Sequence, residues 1–351
     1  MIVDNAAERA PAQETSRPVA PSANVLPIVA AGCAVLAVAF LVPALSSAYW
    51  LRTFTSVCIL AIASVSVGLL YAQLGMVSLC QYALVGVGGW FALRISYATG
   101  LPFEVALLGG GIAAAAFGLL FGLPALRMRG LYLALITLMI AGGFQVIIGA
   151  TDFPDGGPGL LGKTESGQRL AMARPFLAQS DPAFFRYALI FLVLAFLVVS
   201  WHKRSRAGRA WAMIRRSEAC ALSAGVNITA YKVWAFTLAG FLAGIAGGLL
   251  AGSVGQLDQA AFPSSESIML FALTVIGGAY SWLGAIVAGL LLRAVPALLN
   301  DWGVNGNIAT IVFGAGLLNA LITAPQGVAG QLFDLVGFVK RKLRRGGASP
   351  A

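Results

Sequence analysis

The chain has one histidine, His202, and four cysteines, Cys33, Cys58, Cys80 and Cys220, none in a CxxC pair or beside a histidine. A structural metal site needs several such ligands at short spacing, so this supply argues against a metal-binding module. The cysteines are expected as small buried side chains rather than ligands or disulfide partners. Charge is almost as scarce: only 10% of the 351 residues are Asp, Glu, Lys or Arg. That is too little polar surface to clothe water-facing domains, which excludes a soluble protein. A basic leader is missing as well. The first 24 residues set Asp4, Glu8 and Glu14 against Arg9 and Arg17, so residues 1–24 read as a disordered tail, not a secretory signal. No set of His, Asp, Cys or Ser side chains with a base falls on one face, which argues against an enzyme.

What fills the chain instead is apolar residue, 59% of the total, with a mean hydropathy of +0.86. Runs of about 18 apolar residues recur along its length, the mark of spanning helices. The fold class is therefore an all-α, polytopic transmembrane bundle of about ten spans. They are placed at 25–42, 53–72, 76–93, 102–122, 131–150, 184–201, 231–252, 262–279, 283–299 and 306–323. The membrane domain covers 25–335, and 336–351 forms a basic tail that includes KRKLRR.

The formal charge of +10 suggests nucleic acid as a partner, but its distribution argues for a bilayer. Most Lys and Arg collect in the N-terminal tail, the loops at 123–130 and 202–230, and the C-terminal segment. With both termini in the cytoplasm, all four lie inside, as the positive-inside rule requires of an inner-membrane protein. This orientation needs GGAYSWLG (277–284) to be a tight turn between two spans, and it puts the loop at about 151–183 outside. Inside that loop, GPGLLGKT (Gly157 to Thr164) matches the phosphate-loop pattern. The pattern binds phosphate only between a strand and a helix, and here a membrane helix leads in. Nucleotide binding at this loop is rejected.

One charged stretch lies between two apolar ones: GRAWAMIRRSEACALSAGVN, residues 208–227. As a single helix it groups Trp211, Ile214, Ala221 and Leu222 on one face and places Arg215 and Glu218 three apart on another. Gly225 is a natural terminator. A loop helix resting on anionic lipid explains the pattern equally well from composition.

The order of residues decides between these. Glu218-Ala219-Cys220-Ala221 followed by Gly225 resembles the EAA loop of ABC-importer permeases. The wider segment 206–252 is similar to the M-type permease of branched-chain amino acid transporters. GMVSLCQYALVGVGGW (75–90), GLYLALITL (130–138), DGGPGLLG (155–162), VIGGAYSWLGAIVAG (275–289) and PQGVAG (325–330) follow in that family's order. Where the family carries a glycine and a histidine this chain has Cys80 and Gln81. Arg216 and Ser217 replace an acidic residue or asparagine.

The resemblance implies a permease subunit with no cofactor of its own. It would work beside a sister permease, with two ABC ATPase subunits below and a soluble substrate-binding protein above. Arg215, Glu218, Ala219 and Gly225 would couple it to the ATPase, with Glu218 paired to Arg215 or to the partner. For the substrate path the candidates are Gly75, Ser78, Gln81, Gly86 and Arg293. A helix starting near Ser78 inside the membrane would aim its N–H groups at an anionic group such as a carboxylate. The same small residues also suit plain helix packing, with Ser78 bonded to its own backbone. Arg293, about ten residues from the inner end of its span, falls roughly 15 Å deep, where ionised groups are costly. A structural role serves it as well. His202 beside Trp201 reads as an interfacial residue. Asp258, Glu266 and Asp301 lie near outer ends of spans.

A secondary transporter is the alternative function. It would need intramembrane carboxylates or cation sites for coupling, and the spans hold almost none. The substrate stays open between a branched-chain amino acid, urea, an amide and an aromatic acid.

Overall fold

The computed structural model describes residues 25–125, 128, 130–164 and 168–303, with a few isolated positions up to Gly330. The expected tail at 1–24, the tenth span at 306–323, the segment 336–351 and most of PQGVAG lie outside the described residues. Every described element is helical.

The helices are α1 (Val25–Leu45), α2 (Ala48–Gly68), α3 (Gln81–Thr99), α4 (Phe103–Ala125), α5 (Leu131–Thr151) and α6 (Asp181–Arg204). There follow α7 (Arg206–Arg216), α8 (Glu218–Ser223), α9 (Ile228–Val254), α10 (Ser264–Gly277), α11 (Trp282–Gly289) and α12 (Val295–Asp301). Two widened π-helical turns, Leu69–Leu74 and Leu290–Ala294, extend α2 and join α11 to α12. The second precedes Pro296, whose ring lacks an N–H and crowds the carbonyl four residues back, so the ladder opens there. Among the described residues, seven helical stretches are long and apolar enough to cross a membrane. Neither α1 nor α3 is one of the seven: the apolar part of α1 there is the shorter Gly32–Leu45, and α3 carries Gln81 and Arg94 at 19 residues.

The α9 helix is the centre of the bundle. From Ala235 to Gly252 nearly every side chain is buried, because α4, α3 and α2 pack around it. Small residues make that possible. A Cβ on Gly88 of α3 would lie 2.3 Å from the Gly244 Cα, and one on Gly247 would lie 1.9 Å from the Val85 carbonyl oxygen. In hydrocarbon, helices gain nothing by hiding apolar surface from water, so such close backbone approach supplies the packing. The outer helices show large apolar side chains outward, such as Ile112, Met139, Val146 and Ile190, as lipid contact demands.

The turn expected at 277–284 is present. Gly278 takes φ +109° after α10, and the Ser281 hydroxyl accepts from the Gly284 N–H to start α11. The span placed at 76–93 needs correction. Gly75, in the left-handed region at φ +71°, ends the π turn, residues 76–80 are not helical, and α3 starts only at Gln81. Hydropathy cannot separate a buried non-helical strap from helix, and MVSLC is as apolar as the span it leads into. The cysteines split: Cys58 and Cys80 are buried, as expected, but Cys33 and Cys220 are exposed.

Candidate functional site

The stretch 206–227 forms two helices, not one. Ser217 sits between them in extended backbone, and its hydroxyl accepts from the Cys220 N–H to cap α8. Serine at this position competes for backbone donors, which is why the helix restarts here. At the far end Gly225 takes φ +75°, with its N–H bonded to Leu222 O and that of Val226 to Ala221 O. This pair of bonds is the Schellman closure that glycine favours. Trp211, Ile214 and Ala221 are buried, and the Trp211 indole donates to Tyr231 O. Leu222 departs from the expected face and is 62% exposed. It joins the exposed Met213, Ala219 and Cys220 on the outside of the hairpin.

Two charges of the hairpin, Glu218 and Arg215, reach its own bundle, while Arg206, Arg209 and Arg216 stay exposed. Glu218 accepts from Lys232 of α9 at 2.8 Å, and the lysine side chain is only 4% exposed. This partner was missed in the sequence because it lies fourteen positions on, across a turn. Arg215 donates to the Ala72 carbonyl in the π turn and, at 2.8 Å, to the Tyr280 hydroxyl between α10 and α11. Its guanidinium also lies over the Tyr280 ring, 5.0 Å from the centroid. A cavity of about 300 Å³ opens beside it, lined by Ala72, Gln73, Ala212, Arg215 and Arg216.

His202 is held at the end of α6. Its Nδ1 lies 2.8 Å from Val198 O, and its ring stacks near Trp211 at 15°. Both contacts are structural.

The second group of candidates surrounds the start of α3. Ser78 and Gln81 are fully buried, with Ser78 Oγ 3.3 Å from Cys80 Sγ and 3.5 Å from Gln81 Nε2. The Ser66 hydroxyl lies 2.6 Å from Ala63 O and 3.2 Å from Gln81 Oε1, and its one proton serves one of them. Leu79 N–H donates to Thr137 Oγ1 on α5 at 2.9 Å. Thr137, which sequence reasoning did not single out, thereby holds the strap. Ser66 lies eight residues above Leu74, about 12 Å at 1.5 Å per residue, so α3 begins well inside the bundle. No side chain caps it.

Gly86 faces aromatic rings, and a Cβ there would lie 2.5 Å from Phe144. Arg293, midway along the α11–α12 element, donates to the Tyr82 hydroxyl at 3.5 Å. Tyr82 packs against Phe262 with the rings tilted at 39°, and Phe262 against Phe153 at 40°. The start of α3 and Arg293 thus meet through Tyr82, whereas the hairpin residues form a separate group at the basic end.

At the opposite end, the loop with the phosphate-loop-like motif closes on itself. Asp155 accepts from the Gly157 N–H, the Thr164 N–H and the Thr164 hydroxyl. Lys163 donates to Phe153 O and pairs with Asp152. Two of its three N–H donors are thus directed at the loop itself. Asp258 caps a turn at Gln259–Ala261, Asp301 accepts from the Trp50 indole, and one Glu266 oxygen is buried without a partner.

Comparison with known proteins bears on this geometry directly. The family model for the branched-chain amino acid transport system permease component matches residues 49–321. The high-affinity branched-chain amino acid transport system permease protein LivM of Salmonella typhimurium is 29% identical over 290 residues, covering 74% of this chain and 68% of the relative. LivM of Escherichia coli is 28% identical over the same shares. The ribose import permease protein RbsC of Bacillus subtilis is 29% identical over 140 residues, 38% of this chain and 43% of its own. No solved structure matches. The family match extends from the start of α2 to beyond α12 and so takes in both groups of site residues; the chain belongs to the family of branched-chain amino acid transport system permease components.

Proposed function

We propose that this permease component of an ABC importer forms half of a path across the bacterial inner membrane for branched-chain amino acids or a related small polar substrate. A sister permease supplies the other half. Two ATPase subunits dock on the α7–α8 hairpin, and a soluble binding protein delivers substrate at the opposite end. The carrying observation is the hairpin itself, tied to its bundle by Glu218, Trp211 and Arg215 while presenting Met213, Ala219 and Leu222 outward. A rigid element with an exposed apolar edge suits a cleft on another protein. Ten spans with both termini cytoplasmic place the hairpin on the ATP side, counting α1, α3 and the 306–323 segment with the seven.

In this reading the buried start of α3 meets the substrate. Its free N–H groups and helix dipole favour a carboxylate, and Ser78 and Gln81 can turn their polar atoms to the same ligand. The test is radiolabelled leucine uptake by the reconstituted transporter, with urea as the competing substrate. Ser78→Ala with Gln81→Ala is expected to lower uptake at least tenfold while ATPase subunits still co-purify. Uptake at the native rate in that double variant removes the site. Leu222→Asp is expected to abolish co-purification of the ATPases.

A further inference from the structure

The π turn at Leu69–Leu74 leaves a carbonyl without a ladder partner. Gly75 N–H bonds to Leu70 O and Tyr71 O, and Met76 N–H returns to Leu70 O. The Ala72 carbonyl therefore receives its hydrogen bond from Arg215. The same side chain packs along the chain's exit from the turn, since a Cβ on Gly75 would sit 3.6 Å from Arg215 Cγ. Tyr280, the other partner of Arg215, lies 6.2 Å from Tyr71 of the π turn between ring centroids. Directly after Gly75 comes the buried strap to Cys80, pinned by Leu79 to Thr137 and leading into Gln81.

We infer that Arg215 is a positioning residue that sets the conformation of the π turn from α7, and through it the placement of the 75–80 strap and the start of α3. It is a transmission tie within this chain, not a contact with the ATPase. This rests on the reading that the hairpin receives the motor's movement.

Three features support it. A π turn is an interrupted helix that can tighten or widen by one residue, the kind of two-arrangement element that carries a conformational change. An open groove lined by Ala72, Gln73, Ala212, Arg215 and Arg216 runs between α7 and the π turn, so side chains do not fill the space beside the tie. Finally, the planar guanidinium grips a carbonyl, a hydroxyl and a ring face together, which an ammonium cannot reproduce.

The chain is assayed in its full transporter complex, with Arg215→Lys, Arg215→Ala and, as docking control, Leu222→Asp. Arg215→Lys keeps the charge, so it separates the tie from simple electrostatics. Both Arg215 variants are expected to retain the ATPase subunits on purification. Substrate moved per ATP hydrolysed is expected to fall at least tenfold, and amide exchange across 69–80 to rise about tenfold, with exchange across 155–164 unchanged. Tyr280→Phe, which removes one of the partners, is expected to fall between. Native coupling in Arg215→Lys overturns the inference, and so does loss of the ATPases in Arg215→Ala, which makes the arginine a docking contact. If Leu222→Asp keeps its ATPases, the docking reading fails instead, and exchange across 69–80 in Arg215→Ala still decides the tie.

Discussion

The Lys232–Glu218 pair is asymmetric, and its two truncations should differ. Lys232 is 4% exposed, whereas Glu218 is 24% exposed and reaches water. Removing the carboxylate strands a buried ammonium, a loss of about 3 kcal/mol. Replacing the lysine by methionine keeps the volume and leaves a carboxylate that can be solvated, at a cost of about 1 kcal/mol or less. Thermal unfolding of the purified chain should thus rank Glu218→Ala well below Lys232→Met. Equal losses would show that the lysine is not sealed from solvent. Asp155 gives a pH prediction. Burial, the largest influence on its carboxyl, opposes ionisation, but the Gly157 and Thr164 hydrogen bonds and the nearby Lys163 outweigh it and hold the group below its ordinary value. A lowered folded value means its stabilisation is complete above the unfolded value near about 3.9 and is lost as pH falls through the folded one. The opening of amides across 155–164, read from exchange corrected for its intrinsic pH dependence, should stay flat from neutral pH to about 5 and rise below about 4. Asp155→Asn should remove most of that rise.

At the scale of elements, the bundle depends on how closely α3, α4 and α9 approach. Gly247→Ala puts a Cβ where the Val85 carbonyl already sits, forcing α3 away from α9. A loss of at least about 1–3 kcal/mol is expected, seen as less folded protein and a lower unfolding temperature. Gly142→Ala on α5 meets nothing within 4 Å and should be neutral. Much of this level was legible in sequence: the apolar runs, the turn at 277–284 and the terminating Gly225 all announce themselves locally. Two features were not. The 208–227 helix breaks at Ser217 because one hydroxyl caps a new start, and no periodicity registers that. The extent of the strap at 76–80 is the other, because it is as apolar as a helix: the helix start expected near Ser78 falls at Gln81.

For the molecule as a whole, orientation is the testable quantity. Cys220 is exposed on α8, while Cys58 and Cys80 are buried. With Cys33 replaced by alanine, a membrane-impermeant maleimide should label the protein in inverted vesicles and leave it unlabelled in intact spheroplasts. Labelling in spheroplasts would place the hairpin outside and end the docking reading.

Composition alone determined that this chain lives in a bilayer, because with 10% charge no arrangement could cover a water-facing surface. Local order also marked the hairpin and the glycine-rich start of α3 as the places to look. Tertiary structure alone decided which groups meet: Glu218 with Lys232, Arg215 with Ala72 and Tyr280, Arg293 with Tyr82. Those partners lie between 14 and 211 positions apart. Polar and charged groups with little water near them pair with whatever the packed helices bring close, and sequence spacing does not record that.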